Sequence, residues 1–332
     1  MNRFFACLII LFAACLWTPG VAISQDKIVY KGATVAPKPS PWEKLLKRYR
    51  KSVKKKSGKQ IKTKLFFGTK GDEQSLVRQV RKGDLQFAGV STGALSVVAP
   101  EIDILELPYL FDSFEEADRI LVAVQPIIEE ILEKKGFKLI MYSENGYRCF
   151  GTNKPVRKPS DMKGMTMRSQ ESPSHLAMYK SLGAFGRSMA VSEVLPNLNT
   201  GNVSGFDNTA LFTQAASWQQ AIKYFTLSEH IYQPALLIVN KKWYDGLSPE
   251  LQKAVINDDL LKLAKKGLKA IRALNPMVIE NFKMSEVEVI TLSAEEKAAF
   301  KKATRPAWKA RMSKATKDGK RLFDAIMKAK KQ

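Results

Sequence analysis

The sequence has little of the residues that build metal centres and disulfide frameworks, with three cysteines and two histidines among its 332 residues. Cys7 and Cys15 fall in an N-terminal segment that we expect to be removed, and Cys149 alone cannot form an internal disulfide. We predict Cys149 to be a small core residue rather than a nucleophile. Because His175 and His230 do not pair with each other or with cysteine at ligand spacing, zinc binding and a histidine-based triad have no support. Structural or surface roles are favoured for both.

Long apolar runs are also missing after residue 24, because no later stretch approaches the ~20 continuous apolar residues of a membrane span. At the start, a basic residue precedes an apolar run from Phe4 to Trp17, and Ala22-Ile23-Ser24 places small residues before Gln25. We predict a secretory signal peptide over residues 1–24, cut before Gln25, and an exported, soluble protein. A lipoprotein cut before Cys15 is the weaker alternative, because the preceding residues lack the aliphatic side chain usual in such signals.

Acidic residues are scarce beside basic ones, 32 against 54, which gives a formal net charge of +22 and a pI near 9.8. Such an excess is typical of proteins that bind nucleic acids or anionic surfaces. The lysines and arginines are spread over predicted amphipathic helices, however, with no aromatic-interleaved reader and no recognisable binding motif. We predict solvated helix faces and no nucleic-acid partner. A basic surface-binding protein is kept as an alternative, which predicts steeply salt-dependent binding to polyanions.

The chain is long for a single core, and its length predicts about two domains. Strand and helix signals alternate along its first part, with glycines and prolines at the element ends. The predicted elements are strands at 27–33, 60–67 and 85–90 and helices at 42–56 and 73–81. This order favours an α/β fold built on a largely parallel sheet with helices on both faces.

Further along, we predict separate strands at 137–142 and 148–152, a helix at 214–224 and a strand at 234–239. A helix capped by Ser248 should run to Pro276, where a kink is expected, and on towards Phe282. At ~1.5 Å per residue this helix is tens of ångströms long and could bridge two lobes. Ser113, Ser192 and Ser293 are predicted as further helix caps.

A helix, a glycine and a short strand follow one another twice, at 80–87 and at 199–206. The first unit leads to Ser91-Thr92 and the second to Asp207-Asn208, so each strand ends at small polar side chains. In open α/β sheets, ligands bind outside such strand ends. The two units fit two similar lobes that face each other across a cleft, and coincidence between two glycine-terminated helices is an equal alternative.

Arg148 and Arg168 differ from the other cations because each belongs to a short predicted strand. A guanidinium that points inward there is costly to bury unless an anion meets it. Its planar fork can bind a carboxylate through two charge-assisted hydrogen bonds. Asn208 could donate its amide to the same carboxylate. Phe212 could cover the body of the ligand, although a core role is at least as well supported for an aromatic there. We therefore predict an arginine-centred receptor for a carboxylate.

Several segments carry a recognisable pattern in a fixed order. They are Gly83-Asp84-Leu85-Gln86-Phe87 with Ser91-Thr92-Gly93-Ala94, Leu107-Pro108-Tyr109-Leu110-Phe111, Asn153-Lys154-Pro155 with residues 161–168, Ser192-Glu193-Val194, and Val239-Asn240-Lys241-Lys242-Trp243. Together they resemble the DctP-type solute receptors of TRAP (tripartite ATP-independent periplasmic) transporters, over nearly the whole mature chain. The resemblance implies a two-lobed periplasmic-binding-protein fold with a central cleft, hinge strands and a long lobe-spanning helix. Lobe I would comprise residues 25–145 and 234–273, and lobe II residues 146–233 and 274–332.

The resemblance also implies a function: a periplasmic receptor closes on a small organic acid and hands it to a sodium-coupled membrane permease. We predict a monomer and no cofactor; the sequence leaves open a dimer and a metal ion that assists ligand binding. Arg168 matches the family arginine that forms the bidentate salt bridge with the ligand carboxylate. Arg148 matches a second arginine found in some members, and Asn208 matches an asparagine that contacts the same group. The remaining implied site residues are Glu171 and Val191 at variable pocket positions, and Ser91 and Thr92 on the opposite lobe.

The chain departs from the family pattern beside the site. Ser169-Gln170 follows the principal arginine where Val-Pro is common, and Ser204-Gly205 stands where Asp-Gly is usual. These differences leave open the pocket wall, and with it the choice among monocarboxylates, dicarboxylates, keto or hydroxy acids and aromatic acids. The alternative function is a secreted enzyme acting on a small carboxylate. It would need a nucleophile or an acid/base pair facing the cleft, whereas Glu171 and Asp207 form no recognisable constellation.

Overall fold

The computed structural model describes residues 27–331. The predicted signal peptide at 1–24, its cut before Gln25 and the alternative cut before Cys15 lie outside this range. Within residues 27–331, no helix is both long enough and apolar enough to cross a membrane. The same residues include no group of three or more His, Cys, Asp or Glu side chains placed to hold a metal ion.

Two parallel halves of a β-sheet are joined by two long antiparallel strands. The strands within residues 27–331 are β1 (Ile28–Thr34), β2 (Ile61–Phe67), β3 (Phe87–Ser91), β4 (Phe137–Thr152), β5 (Thr166–Ser169), β6 (Phe185–Ser188), β7 (Gly205–Thr209), β8 (Tyr224–Asn240) and β9 (Glu288–Thr291). They follow the order β2-β1-β3-β8-β4-β7-β5-β6, and β9 pairs with β8. β1 is parallel to β2 and β3, and β5 is parallel to β6 and β7. The pairs of β8 with β3 and β4, and of β4 with β7, are antiparallel.

Helices surround both halves of the sheet. Within residues 27–331 they are α1 (Pro41–Lys56), α2 (Glu73–Lys82), α3 (Phe114–Lys134), α4 (Pro173–Ser181), α5 (Val191–Asn199), α6 (Ala210–Ala215), α7 (Lys241–Asp245), α8 (Pro249–Val255), α9 (Asp259–Met284), α10 (Ala294–Met312) and α11 (Lys317–Ala329). Ser113, Ser248 and Ser293 each accept a first-turn N–H, as predicted for caps. Ser192 does not cap a helix, because α5 begins at Val191 with Ala190 at the cap position.

Alternate residues of the central strands point into different cores. Leu236 and Ile238 of β8 pack with apolar residues of α2, α3 and α11, whereas Leu237 and Val239 pack with those of α1, α8 and α9. This alternation is the period-two pattern of a strand buried on both faces. The prediction of helices on both faces of an α/β sheet is therefore confirmed for this lobe.

β4 and β8 run unbroken through both lobes, which corrects the sequence analysis. The predicted break between residues 142 and 148 is wrong. The predicted helix at 214–224 is also wrong, because α6 ends at Ala215, a short 3-10 turn covers Trp218–Ala221 and β8 begins at Tyr224. The polar run around Glu144 has the composition of a turn. In the fold, Glu144 is buried, accepts the Tyr232 hydroxyl at 2.7 Å and is paired with Arg272 at 2.7 Å. Partners distant in sequence therefore allow the strand to continue through polar residues.

The predicted helix from residue 249 towards Phe282 is divided into α8 and α9. Asn257 accounts for the division, because its Nδ2 donates to the Ala254 carbonyl at 2.8 Å and its Oδ1 accepts from the Asp259 N–H at 3.0 Å. Such bonds between a side chain and the nearby backbone compete with the helical pattern. α9 then continues through Pro276.

α9 spans both lobes, as predicted. Leu260 and Ala264, in its first half, belong to the lobe I core beside α1. Val278 and Phe282, near its end, pack with Phe225 in the core of lobe II. The lobes are thus connected by α9 as well as by β4 and β8, and the expected bending of α9 on closure stays a prediction.

The predicted lobe boundaries after residues 145 and 233 fall inside β4 and β8, where the pairing of these strands shifts register around Gly146. At the carboxyl end, α10 packs on α4 of lobe II. In contrast, Leu322 and Ile326 of α11 belong to the core of lobe I. The predicted division assigns all of residues 274–332 to lobe II. α11 instead packs with lobe I. The division as a whole stays a prediction.

Candidate functional site

A cleft lies between the lobes, at the carboxyl ends of the parallel strands. Lobe I lines it with the end of β1 and the start of α2, lobe II with the ends of β5 and β7 and the start of α5, and the hinge strands with their central residues. Its charged lining residues are Arg148, Arg168, Asp72, Glu73 and Glu171. This is the position at which open α/β sheets bind ligands.

The two lobes touch each other across this cleft. Gln74 Nε2, on α2, donates to the Glu171 carbonyl at 2.9 Å. Gln170 Nε2 donates to Glu106 Oε2 at 2.7 Å, which also joins lobe II to lobe I. The structure therefore represents a closed arrangement of the lobes.

Arg168 is a buried cation without a counter-charge. It lies in β5, and its side chain is 3% exposed. Its Nε and Nη2 donate to the Met189 carbonyl at 3.2 and 2.9 Å, and the guanidinium lies 5.2 Å from the centroid of the Trp218 ring. Among residues 27–331, no carboxylate pairs with it and Nη1 has no hydrogen-bond partner. Burial, followed by the charge of Arg148, lowers the pKa of Arg168 to about 10. The geometry leaves a donor and an unbalanced positive charge at the cleft.

Arg148 is buried as deeply, but each of its three guanidinium nitrogens has a hydrogen-bond partner. Nε is paired with Asp207 Oδ2 at 2.5 Å, and Nη2 donates to the Asp207 carbonyl at 2.5 Å. Nη1 donates to Gln233 Oε1 at 2.9 Å and to Asn208 Oδ1 at 3.2 Å. Burial opposes its charge, yet Asp207 more than compensates, so the pKa of Arg148 is raised. Arg148 lines the cleft with its positive charge already balanced.

Asn208 points a donor towards the cleft. Arg168 of β5 pairs with Phe206 of β7, and Asn208 lies two residues after Phe206. Arg168 and Asn208 are therefore at the same end of the sheet. Asn208 Oδ1 accepts from Arg148 and, at 2.8 Å, from the Thr209 N–H. Those two donors fix the orientation of the amide, and Nδ2 has no partner within residues 27–331. Asn208 and Arg168 can therefore both donate to one anionic group.

A network of buried ionisable groups lies behind the arginines. Asp207 accepts hydrogen bonds from the Tyr179 hydroxyl at 2.7 Å and from Arg148. Burial opposes its ionisation, but the charges of Arg148 and His175 outweigh burial and hold the pKa of Asp207 well below its usual range. His175 Nε2 lies 2.7 Å from Glu106 Oε2, while its Nδ1 lies 3.3 Å from Asp207 without an aligned hydrogen bond. Burial opposes the charge of His175, but Asp207 and Glu106 raise its pKa. The network links both lobes to Arg148.

His230 belongs to the same region and remains neutral near pH 7. Its Nδ1 lies 2.8 Å from the Ser228 hydroxyl, and its ring stacks on Phe150 with centroids 4.0 Å apart. Burial lowers the pKa of His230 to about 4. The structural role predicted for the histidines is confirmed by their burial, but a surface location is wrong for both.

Six of the eight predicted site residues line the cleft, namely Arg148, Arg168, Glu171, Val191, Asn208 and Phe212. Ser91 and Thr92 are buried one layer behind the wall. The Ser91 hydroxyl donates to Glu73 Oε2 at 2.6 Å, and the Thr92 hydroxyl donates to Glu106 Oε1 at 2.7 Å. Both therefore position carboxylates rather than face the cleft.

Glu73 is one of several cleft-lining residues that were not predicted from the sequence, which also include Trp42, Asn145, Gln170 and Gln233. It is the first residue of α2, and its carboxylate accepts the Ser91 N–H at 2.9 Å in addition to the Ser91 hydroxyl. Burial raises the pKa of Glu73, and the bonds from Ser91 partly offset this effect. In sequence it is an ordinary first-turn acid of a helix. The sequence predicted a helix at 73–81 but gave no signal that the start of this helix faces a cleft.

Residues 32–315 match the family model of DctP, described as bacterial extracellular solute-binding protein, family 7. A solute-binding protein of Verminephrobacter eiseniae (strain EF01-2) is 35% identical over 230 residues, which cover 68% of this chain and 67% of that protein. The C4-dicarboxylate-binding periplasmic protein DctP of Rhodobacter capsulatus is 30% identical over 249 residues, 69% of this chain and 72% of that one.

The fold is shared with solved structures. A TRAP periplasmic solute-binding protein from Xanthobacter autotrophicus Py2, with bound β-D-galacturonate, is 28% identical and superposes with a TM-score of 0.82. The match covers 91% of this chain and 99% of that one. The two-lobed fold expected from the sequence is confirmed.

Proposed function

Because this chain belongs to the DctP family of bacterial extracellular solute-binding proteins, we propose that it is an extracytoplasmic receptor that holds a small organic acid between its lobes through Arg168. The family consists of solute receptors that work in the periplasm, and the solute-binding proteins of TRAP transporters share its fold. A receptor of this kind binds and releases its ligand unchanged. We accordingly propose no catalytic step at the cleft.

The observation that carries the proposal is the unpaired charge of Arg168. A buried guanidinium without a counter-ion is costly, and a ligand carboxylate supplies both the missing charge and acceptors for the free donor. Arg148 does not compete for this role, because Asp207 already neutralises it. We propose that Asn208 Nδ2 donates to the same carboxylate, and that Arg148 holds Asn208 in the orientation this requires.

The other lining residues are proposed to surround the body of the ligand. Phe212 and Val191 offer apolar surface beside the arginine, and Glu171 stands at the rim of lobe II. Ser91 and Thr92 would act indirectly, through the carboxylates of Glu73 and Glu106.

Delivery to a sodium-coupled membrane permease is part of the proposal and is supported by the family. Two lobes joined by hinge strands can open and close around a solute, which would allow capture in one state and release in the other. We propose a monomeric receptor, exported by the segment at residues 1–24. Co-purification of the receptor with a TRAP permease in detergent, with and without ligand, tests the partnership.

The test of the site uses calorimetry on protein refolded to remove bound acid. D-Galacturonate, D-gluconate, succinate and pyruvate are the probes, and mass spectrometry of acid released from protein purified without refolding guides further choices. Replacing Arg168 by methionine should weaken binding by roughly 30-fold or more, since removing one partner of a buried charge pair costs about 2–5 kcal/mol. Arg168→Lys should also weaken it markedly, because an ammonium cannot reproduce the guanidinium fork.

A matched control is available on the neighbouring strand. Arg187 of β6 pairs in register with Arg168, but its side chain is exposed. Arg187→Lys and Arg187→Met should therefore bind the acid as the wild type does. Unchanged affinity in Arg168→Met would remove this residue from the site. Conversion of the bound acid into another compound would favour an enzyme.

A further inference from the structure

We infer that the acid bound by this chain has a single carboxylate and carries hydroxyl groups at its other end, which donate to Glu73. The inference rests on the proposed function, because it takes the carboxylate at Arg168 as given. It goes beyond that function by selecting a polyhydroxy monocarboxylate among the organic acids and by rejecting dicarboxylates.

The cations of the cleft permit one carboxylate only. Within residues 27–331, Arg148 and Arg168 are the only cations in its lining. All three guanidinium nitrogens of Arg148 donate to Asp207, Asn208 and Gln233. A second carboxylate on the ligand would therefore find no free positive charge, and an uncompensated anion in a closed cleft is strongly disfavoured.

The opposite wall offers acceptors. Asp72 and Glu73 open α2 on lobe I, and Glu171 faces them from lobe II, so the remaining charged groups of the lining are all carboxylates. A carboxylate has about four acceptor positions. In Glu73 the two donors of Ser91 use two of these positions, which leaves others for a ligand. Such a wall requires donors from the ligand and repels a second anion.

The amide side chains of Asn145 and Gln74 also line the cleft, but they leave the carboxylates as the main groups that face the far end of the ligand. Asn145 accepts from the indole N–H of Trp42 at 3.0 Å and donates to Gln233 at 3.1 Å. Gln74 donates to the Glu171 carbonyl and accepts from Arg78 at 2.9 Å. Since these amides are engaged within the protein, the groups left for the far end of the ligand are chiefly the carboxylates.

Hydroxyl groups fit this wall better than an ammonium group. The ammonium of an α-amino acid is one carbon from its carboxylate, so it would lie at the Arg168 end of the cleft, away from the carboxylates of the opposite wall. Hydroxyls can occupy every carbon of a chain, and each can donate to one group and accept from another. Trp42 and Phe212 also line the cleft and offer apolar faces to the carbon skeleton between the two ends.

Pairs of sugar acids that differ at one carbon test the inference. D-Gluconate and D-glucarate differ only in that a terminal CH₂OH is replaced by a second carboxylate, and D-galactonate and galactarate form an equivalent pair. By calorimetry on refolded wild-type protein, at least one aldonate should bind about 100-fold or more tightly than its dicarboxylate partner. Hexanoate has the carboxylate but no hydroxyl, so it should also bind about 100-fold or more weakly than that aldonate.

The variant Glu73→Gln assigns the discrimination to one side chain. It removes the charge but keeps an acceptor, so the preference for the aldonate over its dicarboxylate partner should narrow by about tenfold or more. Glu115→Gln is the matched control, because Glu115 is also a first-turn helix acid but is exposed on α3. It should leave the preference unchanged.

The outcomes separate this inference from the proposed function. If succinate or an aldarate binds as tightly as the aldonates, and Arg168→Met abolishes that binding, the single-carboxylate inference is overturned while the receptor function stands. If 6-aminohexanoate binds more tightly than any aldonate, the far end of the ligand is an ammonium group and the inference of hydroxyl groups is overturned. An unchanged preference in Glu73→Gln would overturn the role of Glu73. If no acid binds at all, the proposed function itself fails.

Discussion

Replacing Arg168 by methionine should stabilise the ligand-free protein while it weakens ligand binding. Most core substitutions lower stability. Arg168 is different because its buried charge has no counter-ion among residues 27–331. Methionine retains an unbranched, flexible side chain of similar length, so it can fill the space of the arginine stem without carrying the charge.

The size of the effect follows from the electrostatics of the site. Burial, followed by the charge of Arg148, lowers the pKa of Arg168 from its usual value to about 10. Since each pKa unit corresponds to about 1.4 kcal/mol, holding the charge there costs about 3 kcal/mol. The variant loses the hydrogen bonds to the Met189 carbonyl and the contact with Trp218, which together offset about 2 kcal/mol. The expected net gain is about 1 kcal/mol, or roughly 2 °C in melting temperature for a chain of this size.

Thermal melts in the presence and absence of ligand make the test. Protein is refolded to remove endogenous acid, and the acid that binds in calorimetry is then added at about 100 times its Kd. The wild type should gain about 2.7 kcal/mol from the ligand, whereas Arg168→Met, with binding weakened roughly 30-fold or more, should gain less than about 0.9 kcal/mol. The order of stability therefore reverses: the variant is more stable alone, and the wild type is more stable with the acid.

The exposed Arg187→Met variant is the control and should change stability by less than about 0.5 kcal/mol. The free energy of unfolding of ligand-free Arg168→Met should not be lower than that of the wild type by more than about 1 kcal/mol. A loss of that size would show that the charge of Arg168 is compensated within the protein, which would refute its role as an anion site awaiting a ligand.

Three further predictions concern the buried groups around the site. Arg148→Met should lower the free energy of unfolding by about 3–5 kcal/mol, because it leaves Asp207 buried and unpaired. In urea titrations, the double variant with Asp207→Asn should lose less free energy of unfolding than the two single variants added together. Additive losses would contradict the pairing of Arg148 with Asp207. His175, whose folded pKa is raised by Asp207 and Glu106 against the effect of burial, should contribute stability that is complete below its unfolded pKa of 6.5 and declines as the pH rises through the folded value. The stability difference between wild type and His175→Gln should accordingly be constant below about pH 6.5 and shrink as the pH rises above it, whereas a difference that does not change with pH would argue against a charged His175. Burial raises the pKa of Cys149 to about 12, so in the chain without its predicted signal peptide a thiol reagent should react only after unfolding in urea, and rapid labelling of the native protein would show that this thiol is accessible.

The elements that were predicted well depend on neighbours along the chain. The caps at Ser113, Ser248 and Ser293 involve backbone groups within three residues, so the sequence is sufficient to locate them. The alternation of strand and helix likewise identified β1, α1, β2, α2 and β3. Placing Arg168 on a strand drew attention to it for the same reason, since a cation within an apolar strand conflicts with its surroundings locally.

The elements that were predicted poorly depend on partners far away in sequence. β4 continues through Glu144 because Arg272, 128 residues later, binds that carboxylate. Arg148 and Arg168 have similar neighbours along the sequence. Arg148 is neutralised by Asp207, 59 residues away, whereas Arg168 has no such partner within residues 27–331. No local pattern contains that information.

By itself, then, the sequence determined the family, the α/β class and the presence of a cation suited to a carboxylate, because these follow from composition, periodicity and motif order. Only the tertiary structure decided which arginine is uncompensated, which wall carries Glu73, and that Ser91 and Thr92 stand behind that wall. The physical reason is that burial and electrostatic balance are properties of groups brought together in space. Whether a charged side chain in a strand is neutralised depends on the partners that folding places beside it.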